Sequence, residues 1–368
     1  MIAFCSGLRG RAAPRRPLIV AGLCALLVSL PAAPASNFRD PLDTPAEMRT
    51  APAQRPLMSV TQAGARLVAV GARGLIIVSD DLGQSWQQAS VPVQSDLLAV
   101  HFPTPELGWA VGHEGVVLHS KDGGSSWIKQ LDGRSAAAPF IEHYARMAPD
   151  PAAASAAAQL ELNYRGGPAL PWLDVWFEDS HNGYAVGSFG MLMATRDGGA
   201  TWAPWLERIE NAEYLNLNAI RGIGGELFIV GERGRTYRLD RGTERFVVTD
   251  TGYIGSFFGI VGEGRNLVAF GLRGVAYRSD DGGASWRELA VPSEQTIAAG
   301  AVVDGGFVLG DLAGDLLHGR WSGDAPALRR PDLPIRMTGL AALADGRLVL
   351  SGLDGVRIHA GKATAADK

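Results

Sequence analysis

Three short turns of this sequence set an arginine between glycines: Gly71-Ala72-Arg73-Gly74, Gly231-Glu232-Arg233-Gly234 and Gly271-Leu272-Arg273-Gly274. A guanidinium on a tight turn offers a planar fork of donors that matches a carboxylate two bonds at a time. Equivalent turns carry His113 with Glu114, Ser188 with Phe189, and Leu353 with Asp354. Arg235, Arg238 and Arg278 are expected to add to the same sector. The chemistry on offer is recognition of an acidic peptide or a carboxylate.

A second set of residues recurs as S-x-D-x-G-x-[ST]-W. It holds Asp81 with Trp86, Asp122 with Trp127, Asp197 with Trp202, and Asp281 with Trp286. The adjoining glycines raise the question of a calcium loop, but the ligand spacing and closing Glu of an EF-hand are missing. The carboxylate and hydroxyls instead suit turn amides, as in Asx-turns, with the Trp packed between neighbouring units. No metal or cofactor is expected. Bond-making chemistry finds no footing. The seven histidines are scattered without H-x-x-x-H or H-E-x-x-H spacing, and no nucleophile elbow or Walker loop occurs. Glu106, Glu178 and Asp179 fall where strands turn and solvated acids are usual. His143 and His181 read as surface groups.

The elements that must position these residues repeat about every 41 residues. The first glycine of each unit is read at 71, 112, 187, 231, 271, 310 and 352, giving steps of 41, 75, 44, 40, 39 and 42. Four units are complete. The fourth, sixth and seventh are degenerate, with Phe246 standing where a Trp would fall. Each unit supplies four short strands; in the second they are expected near 97–102, 107–112, 115–120 and 126–131. Four-stranded units at this period predict an all-β, seven-bladed β-propeller with one helical insertion. Strand order puts the G-x-x-G turns on one face and the Asp boxes on the other. The insertion, 132–170, holds two Ala-rich helical stretches, Ser135–Met147 and Ala152–Leu162, between the second and third blades. The propeller is expected over 55–368. The seventh unit runs out after three strands, so the segment 36–54, and 45–53 within it, is expected to pair beside the last strands and close the ring.

Residues 1–35 read as a cleaved signal peptide: four arginines and no acid, the apolar run Leu18–Leu30, and Ala33-Pro34-Ala35. The compartment expected is the periplasm. Both cysteines, Cys5 and Cys24, leave with this segment. Its four arginines leave too, so 30 of the 34 basic side chains remain against all 38 acids, a net charge of −8. That balance argues against a nucleic-acid partner. No later apolar run is long enough to span a bilayer, and a monomer is expected. Gly is 47 of 368 residues without a collagen period, which fits many tight turns.

The four boxes resemble the Asp-box repeats of bacterial neuraminidases. The joined form, Trp109-Ala-Val-Gly112 or Tyr184-Ala-Val-Gly187 ahead of the box, is more similar to the photosystem II stability and assembly factor family. The resemblance covers about residues 55–360. It implies a non-enzymatic propeller that docks onto, and helps assemble or stabilise, a membrane-protein client or assembly intermediate. On the residues themselves the docking positions expected are Arg73, Arg233, Arg273, His113, Glu114 and Phe189. Two alternatives are an accessory subunit of an RND-type envelope transporter and a sialidase-like glycoside hydrolase. The second is weakened because Pro334-Ile335-Arg336 is not the Arg-Ile-Pro signature of sialidases.

Overall fold

The computed structural model describes residues 39–147, 149–323 and 325–360. The expected signal peptide and both cysteines lie outside them. Seven antiparallel sheets follow one another round a ring, and each inner strand packs on the next. The inner strands are Leu57–Ala63, Leu97–His101, Trp172–Phe177, Leu217–Ile223, Phe257–Glu263, Ile297–Val303 and Met337–Ala342. The ring is a seven-bladed β-propeller. Alternation within the strands supplies the cores between blades: Val68, Val70 and Ile76 of blade 1 meet Val100, Ala110 and Leu118 of blade 2, and the same pairing recurs at the other junctions.

The Asp boxes behave as one repeated turn. Asp81 Oδ1 accepts from the Ser79 hydroxyl (2.8 Å) and the Ser85 amide (2.9 Å), and Oδ2 accepts from the Ser85 hydroxyl (2.6 Å). Asp122, Asp197 and Asp281 repeat the pattern. In each box the leading hydroxyl accepts from a glycine amide four residues on, as Gly124 donates to Ser120 Oγ at 2.9 Å. Each Trp packs at the junction with the preceding blade. Only Trp127 is fully buried; Trp86, Trp202 and Trp286 are half-buried.

These bonds pull the box carboxylates below their ordinary range. The Ser85 hydroxyl, then its amide, then the Ser79 hydroxyl bring Asp81 down to about 2, and Asp281 is lowered in the same way. Burial pushes Asp122 and Asp197 up, but the hydroxyl and amide donors outweigh it. A depressed folded pKa contributes stability that is present above the unfolded value, near 3.8, and is lost as pH falls through the folded value. The urea midpoint should therefore hold near pH 5 and fall between pH 4 and about pH 2. An Asp81→Asn variant should show a shallower fall; an equal slope would count against this origin.

Closure differs from expectation. The seventh blade has three strands, and among the described residues none from the N-terminal segment pairs with the third, Gly355–His359. The segment runs instead along the outside of blades 1 and 2. The Ala46 amide donates to the Val91 carbonyl (3.0 Å), the Arg49 amide to Gln88 Oε1 (2.8 Å), and Leu42 is buried in the blade 1–2 core. The reason is packing: Leu42 finds an apolar slot there, and Pro52–Gln54 forms a 3-10 turn against the last strand. The ring closes through the first and last inner strands. Thr338 Oγ1 donates to the Leu57 carbonyl (2.7 Å) and Gln62 Nε2 to the Ala342 carbonyl (2.6 Å).

The sixth unit is also re-registered. Ile297 pairs with Asp311, as Phe257 pairs with Gly271, so the turn is Asp311-Leu312-Ala313-Gly314 and Gly310 is not its first residue. Asp311 compensates by accepting from the Ala313 and Asp315 amides and the Ser293 hydroxyl.

The insertion forms α1 (Gly133–Ala145) and α2 (Pro151–Tyr164). Asp132 caps α1 with a capping box, and Asp150 caps α2 with Pro at its first position. Tyr144 locks the hairpin to blade 3: its hydroxyl donates to Glu207 Oε2 (2.6 Å) and accepts from the Leu206 amide (2.9 Å). Among the described residues no helix is long and apolar enough to cross a membrane.

Candidate docking face and central channel

The G-x-x-G turns have one geometry. The third residue lies in the left-handed region, at φ 57° for Arg73, 54° for Glu114, 53° for Phe189, 53° for Arg233 and 56° for Arg273. Side chains rarely adopt this conformation unaided. Here the next blade holds it: the Arg73 amide donates to Asp96 Oδ1 (2.7 Å) and the Phe189 amide to Asn216 Oδ1 (2.7 Å). The closing glycine is required as well. A Cβ on Gly274, at φ 72°, would collide with the Ser293 carbonyl. The turns are thus rigid pedestals for whatever side chain occupies the third position.

Arg73, Arg233, Arg273 and Phe189 are exposed, but the three arginines do not form one arc. They stand on blades 1, 4 and 5 of a ring of seven, which puts Arg73 across the axis from the other two. Arg233 is ion-paired with Glu213. Phe189, Arg233 and Arg273 do sit on consecutive blades, with Ile254 (92% exposed) in the link between blades 4 and 5. His113 and Glu114 are half-buried beside the start of α1, and Glu114 Oε2 is enclosed without a hydrogen-bond partner. An enclosed carboxylate disfavours an acidic ligand at blade 2. Arg278 is not on this face. It is buried, pairs with Asp280 next to the box aspartate, and donates to the Trp321 and Gly323 carbonyls.

α1 and α2 stand on the turn side of the ring: Asn163 Nδ2 reaches the Phe189 carbonyl (3.4 Å), and Ser155 Oγ bonds Tyr214 Oη (2.8 Å). Tyr144 and Glu207 form a Tyr–Glu pair, but both are buried, Tyr144 within the blade 2–3 core. Among the described residues no three His, Cys, Asp or Glu side chains converge as metal ligands.

The ring axis holds a cavity of about 350 Å³ between the inner strands. His101, Trp176 and Arg221 line it from blades 2, 3 and 4, with Asp174 buried behind Arg221. Sequence reasoning passed over these four. For three of them the signal was present: His101, Trp176 and Arg221 fall ten or eleven positions before the first residue of their G-x-x-G turns, at a place where blades 5 to 7 carry Val261, Ala301 and Ala341.

The model of the photosynthesis system II assembly factor YCF48 family matches residues 60–141 and 155–305. The chain belongs to that family. Among similar proteins, the photosystem II assembly lipoprotein Ycf48 of Synechococcus sp. (strain CC9902) is 34% identical over 135 residues, 36% of this chain and 39% of that one. The Ycf48 of Synechococcus sp. (strain JA-3-3Ab) is 29% identical over 192 residues, 47% of this chain and 56% of that one. The aligned stretches thus span less than two thirds of either relative. The solved structure of YCF48 bound to D1 peptide superposes with a TM-score of 0.61 at 15% identity, covering 86% of this chain and 98% of that one. YCF48 from Cyanidioschyzon merolae gives 0.61 at 15%, covering 84% and 96%. These two likenesses speak to the fold.

Proposed function

We propose that this protein is a non-catalytic propeller of the periplasm that docks onto a membrane-protein client and supports its assembly or stability. The observation that carries the reading is the rigid turn face: five of its seven equivalent third positions hold a side chain in the left-handed conformation. Three of these, Phe189, Arg233 and Arg273, stand side by side, exposed, on blades 3 to 5. Membership of an assembly-factor family supports it, as does a relative solved with a D1 peptide bound. The segment recognised is acidic or ends in a carboxylate, with an apolar group for Phe189 and Ile254. Arg73 lies too far round the ring to share a short segment with the other two.

Capture of client from host membranes by the tagged mature protein tests the reading. The joint change of Arg73, Arg233 and Arg273 to Ala should abolish capture, as should Arg233→Ala/Arg273→Ala, while Arg73→Ala alone retains it. Stability should stay within about 0.5 kcal/mol, as for surface changes generally, and capture should weaken with salt. Undiminished capture by the triple variant would overturn the assignment.

A further inference from the structure

We propose that the channel on the ring axis is a binding site for a carboxylate carried on a flat or apolar body, held by Arg221, Trp176 and His101. The site is distinct from the turn face. Its residues sit four positions along the inner strands from the turn end, about 13 Å away at strand rise.

The fifth inner-strand residue of every blade faces this cavity. Blades 1 to 4 supply Thr61, His101, Trp176 and Arg221, and blades 5 to 7 supply Val261, Ala301 and Ala341. One wall is polar and aromatic; the other is small and apolar. His101 and Trp176 stack with centroids 4.0 Å apart and planes at 27°, and the Arg221 guanidinium carbon lies 6.0 Å from the Trp176 ring. Gly222 makes this possible, since a Cβ there would approach the Trp176 indole nitrogen to 2.7 Å.

His101, Trp176 and Arg221 together offer donors and no free acceptor on this wall, beside the Thr61 hydroxyl. His101 Nδ1 accepts the Phe177 amide hydrogen (3.1 Å), which leaves the proton on Nε2. Burial, then the nearby Arg221 charge, lower the imidazole pKa to about 3, so it stays neutral. Indole and guanidinium nitrogens only donate. Arg221 spends Nη1 on Asp174 and the Ile220 carbonyl; its Nη2 and the Trp176 Nε1 have no acceptor among the described residues. A ligand that completes such a wall brings acceptor oxygens, and the apolar wall opposite accommodates its body. The volume lies at the lower end for small-molecule sites, enough for one small acid or the last residue of a chain.

Asp174 gives the arrangement its orientation. The same layer elsewhere in the ring holds only small residues, Ser59, Ala99, Ala219, Gly259, Ala299 and Gly339. A buried carboxylate is costly in such a layer. It takes the Ile220 amide (2.8 Å), the Val175 amide (3.0 Å) and one end of the guanidinium, so that Arg221 is fixed and its other end faces the cavity.

Titration calorimetry on the full exported chain tests this with benzoate, benzamide, and a peptide ending in Phe as free acid or amide. The indole N–H resonance of Trp176, identified by its loss in Trp176→Phe, provides the second readout. Benzoate should bind saturably and shift that resonance, whereas benzamide should not. Benzoate binding without preference for the free-acid peptide assigns the site to free carboxylates; tighter binding of the free-acid peptide assigns it to chain ends. The neutral double variant Asp174→Asn/Arg221→Gln should weaken binding about 10- to 100-fold, the range of one charged contact. Should that variant fail to fold, Ala301→Phe, which fills the cavity from the apolar wall, should abolish binding. No saturable binding of either acid, or unchanged affinity in either folded variant, overturns the proposal.

Discussion

Replacing Trp127 by alanine should cost about 3–5 kcal/mol, the range for truncating a fully buried aromatic. Trp127 is 5% exposed and sits in the blade 1–2 core with Val68, Val78 and Phe102, meeting Phe102 edge-on at 5.8 Å. Its indole N–H donates to the Gly124 carbonyl (3.0 Å), and its backbone N–H reaches Ser90 of the preceding blade (3.1 Å). The variant therefore loses apolar burial and opens a junction that the N-terminal segment also covers through Leu42. Trp202→Ala should cost clearly less, because Trp202 is half-buried and its indole nitrogen has no partner. Urea unfolding of both variants checks the order. Equal losses would overturn the ordering by burial, and a loss below about 1 kcal/mol for Trp127→Ala would show that this tryptophan does not tie the blades together.

Arg221→Ala should cost about 3–5 kcal/mol at neutral pH, because it strands a buried carboxylate. Asp174 is 4% exposed and keeps only the Val175 and Ile220 amides once the guanidinium is gone. Asp174→Asn should be milder, since Arg221 reaches the channel and its charge is less enclosed. Burial already raises the Asp174 pKa against the pull of Arg221. A raised acid pKa favours the folded state below the unfolded value, and that contribution is lost as pH rises through the folded value. Losing Arg221 raises the folded value further, so the deficit of Arg221→Ala should be largest near pH 7 and shrink towards pH 5. A deficit independent of pH would mean that the guanidinium acts by packing alone.

The repeat carries its own instructions. A G-x-x-G turn, two flanking apolar strands and an Asp box lie within about 40 consecutive residues, and their bonds are local: Ser79 to Asp81, Asp81 to Ser85, Gly83 to Ser79. Blade number, strand positions, the four boxes and both insertion helices were therefore legible from the chain, as was the side of the ring on which the turns project. The contacts that depend on closing a ring were not. Gln62 meets the Ala342 carbonyl across 280 residues, and no local pattern announces that the first and last inner strands meet without a borrowed strand. The same closure puts Arg73 opposite Arg233 and Arg273, though all three share one motif. It also brings His101, Trp176 and Arg221 together on the axis from three different repeats. Arg278 looked like its neighbours in sequence, yet carbonyls of the next blade bury it. Propensity and turn chemistry act over a few residues, whereas the partner of a side chain on the axis or at a blade junction belongs to another repeat and exists only once the ring has closed.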